Sequence, residues 1–508
     1  MSNEKETKLG IEAKKEVDFS AWYTQVLLRA EMMDYSDISG CYILRPWSYK
    51  IWKEIQAFLG QRFEAAGVED SYFPLFISQG ALQKEKDHVE GFAPEVAWVT
   101  RSGSSELPEP IAVRPTSETI MYPAYAKWIN SHRDLPLKMN QWCNVVRWEF
   151  KHPQPFLRSR EFLWQEGHTC FLTKSEADQD VLQALESYRA VYEDLLAVPM
   201  IKGMKSEKER FAGALYTTTV EGFIPSVGRG IQGGTSHCLG QNFSKMFKIG
   251  VEGKDGETEY VWQNSWGFTT RSIGVMVMTH SDNSGLVLPP RVASIQVVIV
   301  PVGITAKTSA EDEEKIQAKC TELANALIAA GIRAKADLRA NITPGWKFNH
   351  WELKGVPVRF EVGPKELTSN QTRACIRYSG EKRQVSLDNI GQVAKALLDE
   401  IHGGMFAKAK TAYDACIKIV EKWEDVTPAL DNKCCVLIPW CEDSTCEDQI
   451  KDRSAVKATD DAAVDSRAPA MGAKSLCIPF DQPAKCTEKF CVQCGKPAKS
   501  YTLFGRSY

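Results

Sequence analysis

The segment RWEFKHPQPFLRSREFLWQEGH, Arg147 to His168, packs cations, carboxylates, aromatic rings and prolines into one short span. The residues before it, QWCNVV, and those that follow, TCF, are β-branched and aromatic. Each arm therefore reads as a strand, and KHPQPFLRS as the loop of a long-tipped hairpin. Side chains alternate along a strand, which puts Arg147 and Glu149 on one face of the first arm. Phe162, Trp164, Glu166 and His168 share one face of the second. Two readings fit such a hairpin. It is either a solvated edge whose charges keep it soluble, or a site whose ligand needs fixed cations, carboxylates and rings together.

The surrounding chain has 508 residues, 43% hydrophobic and 25% charged, which describes an ordinary globular protein too long for one core. About three domains are expected. No apolar run approaches the roughly 20 residues of a membrane-spanning helix, so no membrane partner is expected. The opening MSNEKETKLGIEAKKEVD, polar and acidic, fits neither a secretory nor a transit peptide, and a cytoplasmic location is the expectation. Fifteen cysteines, an odd number mostly scattered singly in apolar runs, suit a reducing compartment. A net charge of −3 argues against non-specific nucleic-acid binding by the whole chain, so any RNA contact must come from local patches.

From residue 18 to 290, helices, strands and loops alternate, with SYFPLFI and QWCNVVRWEF the clearest strands. At Pro289 and Pro290 the pattern changes. The strand IQVVIVPVG, the amphipathic helix EDEEKIQAKCTELANALIAAGI and RAKADLR form a β-α-β unit. This α/β region runs over 291–402 to a helix ending near His402. After Gly403 and Gly404 a second long helix, FAKAKTAYDACIKIVEKWE, opens a small cysteine-rich α/β end over 403–508.

Three further spans accompany the hairpin. VRPTSETIMYPAYAKW places Arg114, Thr116 and Glu118 in a turn before a helix, where Thr116 and Glu118 either cap the helix or hold a cationic amine. GRGIQGGTSHCLGQNF is a glycine-rich approach to Thr235 and His237. NSWGFTTRSIGVMVM sets Arg271 just before an apolar helix, placed to stack on a ring, to grip phosphate or to serve as a surface residue.

A strand ending in proline (GVEDSYFPLF, Pro74), then VRWE, then GFTTR resembles the three signature motifs of class II aminoacyl-tRNA synthetases. RPTSE, the hairpin, GGTSH and the terminal YTLFGRSY extend the resemblance, over nearly the whole chain, to the prolyl-tRNA synthetases of the eukaryotic and archaeal type. The resemblance implies an α+β fold: a class II antiparallel sheet flanked by helices over 18–290, an anticodon-binding domain over 291–402, and a zinc-binding domain over 403–508. It implies activation of L-proline by ATP with Mg²⁺, transfer of the prolyl group to tRNA(Pro), and a homodimer.

The same resemblance implies residue roles. Arg147 and Arg271 would be catalytic. Arg147, Glu149, Arg158, Ser159, Phe162, Gln232, Thr235, Thr269 and Arg271 would bind ATP, with adenine between Phe162 and Arg271. Phe92, Thr116, Glu118, Arg147, Trp164, Glu166, His168, Phe211 and His237 would form or support the proline pocket; read singly, Phe92, Phe211 and the histidines are equally core residues. Lys347, Glu352 and Arg359 in and after GWKFNHWELKG are candidates for anticodon contact. Independently of the resemblance, CEDSTC and CVQC supply Cys441, Cys446, Cys491 and Cys494, paired thiols of the kind that hold a structural Zn²⁺. Cys434, Cys435, Cys477 and Cys486 are close enough in sequence to replace one of them.

Overall fold

The computed structural model describes residues 10–88, 95–149, 152–253, 256–305, 307–455 and 472–508. Its largest element is an 11-stranded sheet. In spatial order the strands are Ile417–Ile419, Cys435–Trp440, Ser500–Gly505, Lys474–Pro479, Ile201–Met204, Tyr216–Ile224, Arg229–Gly240, Trp262–Thr269, Glu161–Phe171, Leu137–Val146 and Glu69–Asp70. Every neighbouring pair is antiparallel except the outermost one at each end. The expected α+β class with an antiparallel core is what the chain adopts.

The helix Lys174–Ala190 covers one face of this sheet. It starts with a reciprocal capping box between Thr173 and Glu176 and buries Ala177, Val181, Ala184, Leu185 and Tyr188, a spacing that makes one apolar stripe. The glycine-rich segment expected as a loop is instead the strand Arg229–Gly240. Its glycines answer a packing demand: a Cβ on Gly233 would lie 2.3 Å from Met200 and 2.7 Å from Tyr192.

In the hairpin, Val146 faces Glu161, Gln141 faces Glu166 and Met139 faces His168. The first arm ends at Val146, one residue before the expected functional pair. Arg147 still donates its N–H to the Arg160 carbonyl at 2.7 Å, but the Trp148 N–H turns to the Glu95 carbonyl, so Glu149 leaves the ladder and is exposed. SYFPLFI is likewise less regular than expected, with strand only at Phe76–Ser78. Side chains take its backbone groups: the Phe73 N–H donates to Gln141 Oε1 at 2.5 Å, and Arg114 donates to the Phe73 carbonyl at 2.8 Å.

A second sheet, in the order Ala334–Ala336, Val297–Pro301, Val358–Val362, Gln371–Ile376 and Lys382–Ser386, is parallel over its first three strands and antiparallel beyond. The helix Ala310–Ala329 packs on it through Ile316, Cys320, Leu323 and Leu327. One continuous helix, Ile390–Ala415, replaces the expected pair. Gly403 and Gly404 do not break it, because a Cβ on Gly404 would lie 2.2 Å from the Tyr378 hydroxyl: the residue is small to admit a neighbour. The expected continuation divides into the strand Ile417–Ile419 and the helix Trp423–Asp431.

Candidate active site

The face of the large sheet opposite the helix Lys174–Ala190 carries a cavity of about 300 Å³. Period-two alternation along Glu161–Phe171 delivers Phe162, Trp164, Glu166 and His168 to its wall. Neighbouring strands add Gln232, Thr235 and His237, then Thr269, and the helix Arg271–His280 adds its first residue. Arg147, Glu149, Ser159, Thr116, Glu118 and Phe211 complete the expected set. Two expected members stand apart. Arg158 is not on the wall: its guanidinium is half-buried, and burial, then Arg229, push its pKa below the ordinary value while Tyr508 opposes. Phe92 lies outside the described residues.

Two guanidinium groups reach the cavity in fixed poses. Arg147 donates from Nε to the Pro115 carbonyl at 2.9 Å and lies 5.2 Å from the centre of the Trp164 ring. Arg271 is held by the carbonyls of Leu157 (3.2 Å) and Gln232 (3.3 Å). Burial lowers its pKa, Tyr192 and Glu221 oppose that, and Arg158 and Arg147 add to it. A cation so poorly solvated gains most from an anionic ligand.

The carboxylates are as firmly placed. Glu118 accepts a short hydrogen bond from the Thr116 hydroxyl, while Ser117 sits at the N-cap of Glu118–Trp128 with no side-chain capping bond. The helix-cap alternative for Thr116 and Glu118 is thereby set aside. Glu166 is 1% exposed. Its donors are the Ser117 N–H (3.2 Å), the Ser117 hydroxyl, Gln141 Nε2 (3.0 Å) and His168 Nε2 (3.0 Å). Burial pushes the Glu166 pKa upward, yet His168, Ser117 and Gln141 together bring it below the ordinary value, so the group is an anion. His237 lies with Nδ1 2.9 Å from the Thr217 hydroxyl and Nε2 3.1 Å from that of Thr235. Its ring is 4.7 Å from that of Phe211. Burial, with His168 and Arg147 beside it, depresses its pKa to about 3, and it is neutral near pH 7.

Several contributors escaped the sequence reading. Glu209, Thr217, Ser265 and Trp266 line the cavity. Thr217 had a signal, since it faces His237 across the ladder, but that register is not visible before the pairing is known. Arg114 is a strut and not a ligand: 2% exposed, it donates to Asn144 and to the Phe73 carbonyl.

Away from the cavity, Lys347 is buried with its ammonium 2.8 Å from the Asp337 carbonyl. Arg359 pairs with Glu361 at 2.9 Å and lies 3.9 Å from the centre of the Phe348 ring. Glu352 is half-buried, and its carbonyl accepts from Arg377. Neither cation of this trio presents an unengaged charge.

In the C-terminal part, Cys441, Cys446, Cys491 and Cys494 bring their sulfurs within 4.8 Å of one another. Cys446 sits at the start of the helix Ser444–Arg453, and Gly495, with φ of +70°, closes the turn after Cys494. Cys435 and Cys477 belong to a separate apolar cluster, against which Cys486 packs. The Cys434 thiol donates to the Asn432 carbonyl at 3.5 Å.

The sequence matches the tRNA synthetase class II core domain (G, H, P, S and T) over residues 99–280, an anticodon binding domain over 296–397, and the prolyl-tRNA synthetase C-terminal domain over 423–508. It is 54% identical to a cytoplasmic proline–tRNA ligase of Arabidopsis thaliana, covering 99% of this chain and 92% of that one. It is 50% identical to a proline–tRNA ligase of Encephalitozoon cuniculi, covering 99% of each. The crystal structure of prolyl-tRNA synthetase from Cryptosporidium parvum complexed with halofuginone and AMPPNP superposes with a TM-score of 0.91 at 50% identity, covering 100% of this chain and 99% of that one. With a class II core, an anticodon-binding domain and the prolyl-type C-terminal domain in one chain, this protein belongs to the prolyl-tRNA synthetase family.

Proposed function

We propose that the cavity is where this chain activates L-proline with ATP, giving prolyl-adenylate and pyrophosphate, before passing the prolyl group to the 3′ end of tRNA(Pro). One observation carries the reading: Arg147 and Arg271, Glu118 and Glu166, and the rings of Phe162 and Trp164 line one cavity. That donor set is complementary to a ligand that is at once polyanionic, cationic and partly apolar.

Arg147 spans the α-phosphate and the proline carboxylate, holding nucleophile and electrophile in line while charge grows on the phosphate oxygens. Adenine lies between Phe162 and Arg271, with Glu149 beside its amino group. Ser159, Gln232, Thr235 and Thr269 hold the rest of the nucleotide, and Arg158 reaches the γ-phosphate. Mg²⁺, supplied with ATP, would offset the phosphate charge that the arginines do not. Thr116 and Glu118 receive the secondary ammonium of proline, and Trp164, Phe211 and His237 close on its ring above the Glu166 and His168 pair. The test is Glu118→Gln, which removes the anion and keeps the shape. In ATP–pyrophosphate exchange it should raise the KM for proline at least tenfold and leave that for ATP in place. An unchanged proline KM would exclude this placement.

The four cysteines fit Zn²⁺. Sulfurs bound tetrahedrally at about 2.3 Å stand about 3.8 Å apart, and Cys446 and Cys491 are 3.5 Å apart, Cys441 and Cys494 3.6 Å. Cys441, Cys446, Cys491 and Cys494 would hold the ion as thiolates, and it would supply a cross-link between the two segments rather than catalysis. We further infer domains at 18–290, 291–402 and 403–508, the last two joined by the helix Ile390–Ala415 that runs across their boundary, a cytoplasmic homodimer, and anticodon contact through the second domain near Glu352.

A further inference from the structure

Glu118 and Tyr122 stand four residues apart, on one face of the helix Glu118–Trp128. Glu118 lines the cavity, while Tyr122 is fully buried below it. The Tyr122 hydroxyl is 3.0 Å from His168 Nδ1, and His168 Nε2 is 3.0 Å from Glu166 Oε2. An anionic carboxylate can only accept, so Nε2 carries a proton. Nδ1 is left facing the Tyr122 hydroxyl, which can donate to it in the neutral ring and accept from it in the imidazolium.

We propose that Tyr122 is a positioning residue for amino-acid recognition, fixing through its hydroxyl the orientation of the His168 ring. The His168 N–H then completes the donor set of Glu166, and the negative field under the substrate's ammonium stays in place. Gln141 secures the other carboxylate oxygen, and the same glutamine accepts the Phe73 N–H, so the charge is fixed from two strands and a helix at once. The Tyr122 ring has separate work: it packs edge-on against His168, Phe243 and Phe247, with centroids 5.5, 5.6 and 5.7 Å away. A phenylalanine keeps those ring contacts and loses the hydroxyl.

The inference rests on proline occupying this cavity, and the experiment separates the two. Tyr122→Phe should raise the KM for proline about tenfold, with kcat within about twofold and the ATP KM and melting temperature unchanged. Discrimination of proline from alanine, as the ratio of kcat/KM values, should fall with it. Because Tyr122 acts through His168, the same substitution in a His168→Gln background should change little. An unaltered proline KM in Tyr122→Phe, or an equal tenfold effect in both backgrounds, would overturn the proposal. If Glu118→Gln also left the proline KM unchanged, the placement of proline itself would be wrong.

Discussion

Two buried polar clusters in this molecule have opposite characters. Around Glu166 the chain supplies the donors itself: a backbone N–H, a hydroxyl, an amide and an imidazole converge on one anion. Around Cys441, Cys446, Cys491 and Cys494 thiols face thiols: burial first pushes the Cys441 thiol up to about 11, while at Cys491 burial is outweighed by backbone N–H groups, those of Cys494 and Gln493 foremost, which bring its pKa below the ordinary value. The first cluster is complete without a ligand. The second becomes favourable only when a cation takes the protons' place. Preorganisation belongs to the site that must do chemistry, and dependence on an ion belongs to the site that must hold shape.

The largest effect should come from breaking the dependent cluster. Cys491→Ser should abolish stoichiometric zinc, measured by metal analysis, and lower the melting temperature by many degrees, because the free energy of binding is folding free energy. The folded fraction should still activate proline at close to the original rate. A metal-free protein of equal stability would erase the contrast between the clusters, and loss of adenylate formation at unchanged stability would move the ion into the active site.

Next comes Arg147→Lys, which keeps the charge and removes the planar fork. If preorganisation is what the cavity provides, kcat for pyrophosphate exchange should fall about 10²–10³-fold, on the scale of one missing transition-state donor. The melting temperature should not move. Activity within about threefold of the original would mean that charge alone suffices.

The smallest effect sharpens the comparison through pH. His237 titrates near 3 in the folded chain against 6.5 for an ordinary histidine. Between those values the unfolded chain binds a proton that the folded one refuses. The stability contributed is whole above pH 6.5 and is lost as pH falls toward 3, with a slope of at most about 1.4 kcal/mol per pH unit. His280, His350 and His402, each lowered to about 4, act in the same sense. Melting temperatures of the parent and His237→Gln should therefore converge as pH falls from 7 to 5, and parallel curves would show that His237 pays no such cost.

How much of this was legible beforehand follows from the range over which each signal acts. The hairpin could be read because strand alternation is local, so Phe162, Trp164, Glu166 and His168 could be placed on one wall from spacing alone. Ser117, Gln141 and Tyr122 could not, because their value lies in converging from a helix start and a neighbouring strand on residues 25 to 49 positions away. Gly403 and Gly404 misled for a related reason. A glycine pair signals a break in isolation; the Tyr378 hydroxyl pressed against the helix explains Gly404 otherwise, while Gly403 has open space beside it. Lys347 shows the reverse case, a charge that looked available and is spent on a carbonyl.

The strand Ile201–Met204 joins the two halves of the large sheet, pairing Gly203 with Pro479 and Met204 with Ile478. Gly203 permits the seam, since a Cβ there would lie 2.5 Å from the Ile478 carbonyl oxygen, and Lys205 bridges it, donating to the Leu476 carbonyl at 2.8 Å while pairing with Glu221 at 2.7 Å. A truncation before residue 403 would therefore do more than remove the four clustered cysteines. It would strip the partner from an edge strand, uncover unpaired N–H and C=O groups beside Cys477's former seat, and leave Lys205 and Glu221 facing water with an adhesive border next to them. Shortened versions of this chain should be recovered as aggregates rather than as a smaller enzyme, and the C-terminal part serves the catalytic sheet as its selvedge, the finished margin that keeps a fabric from catching on its neighbours.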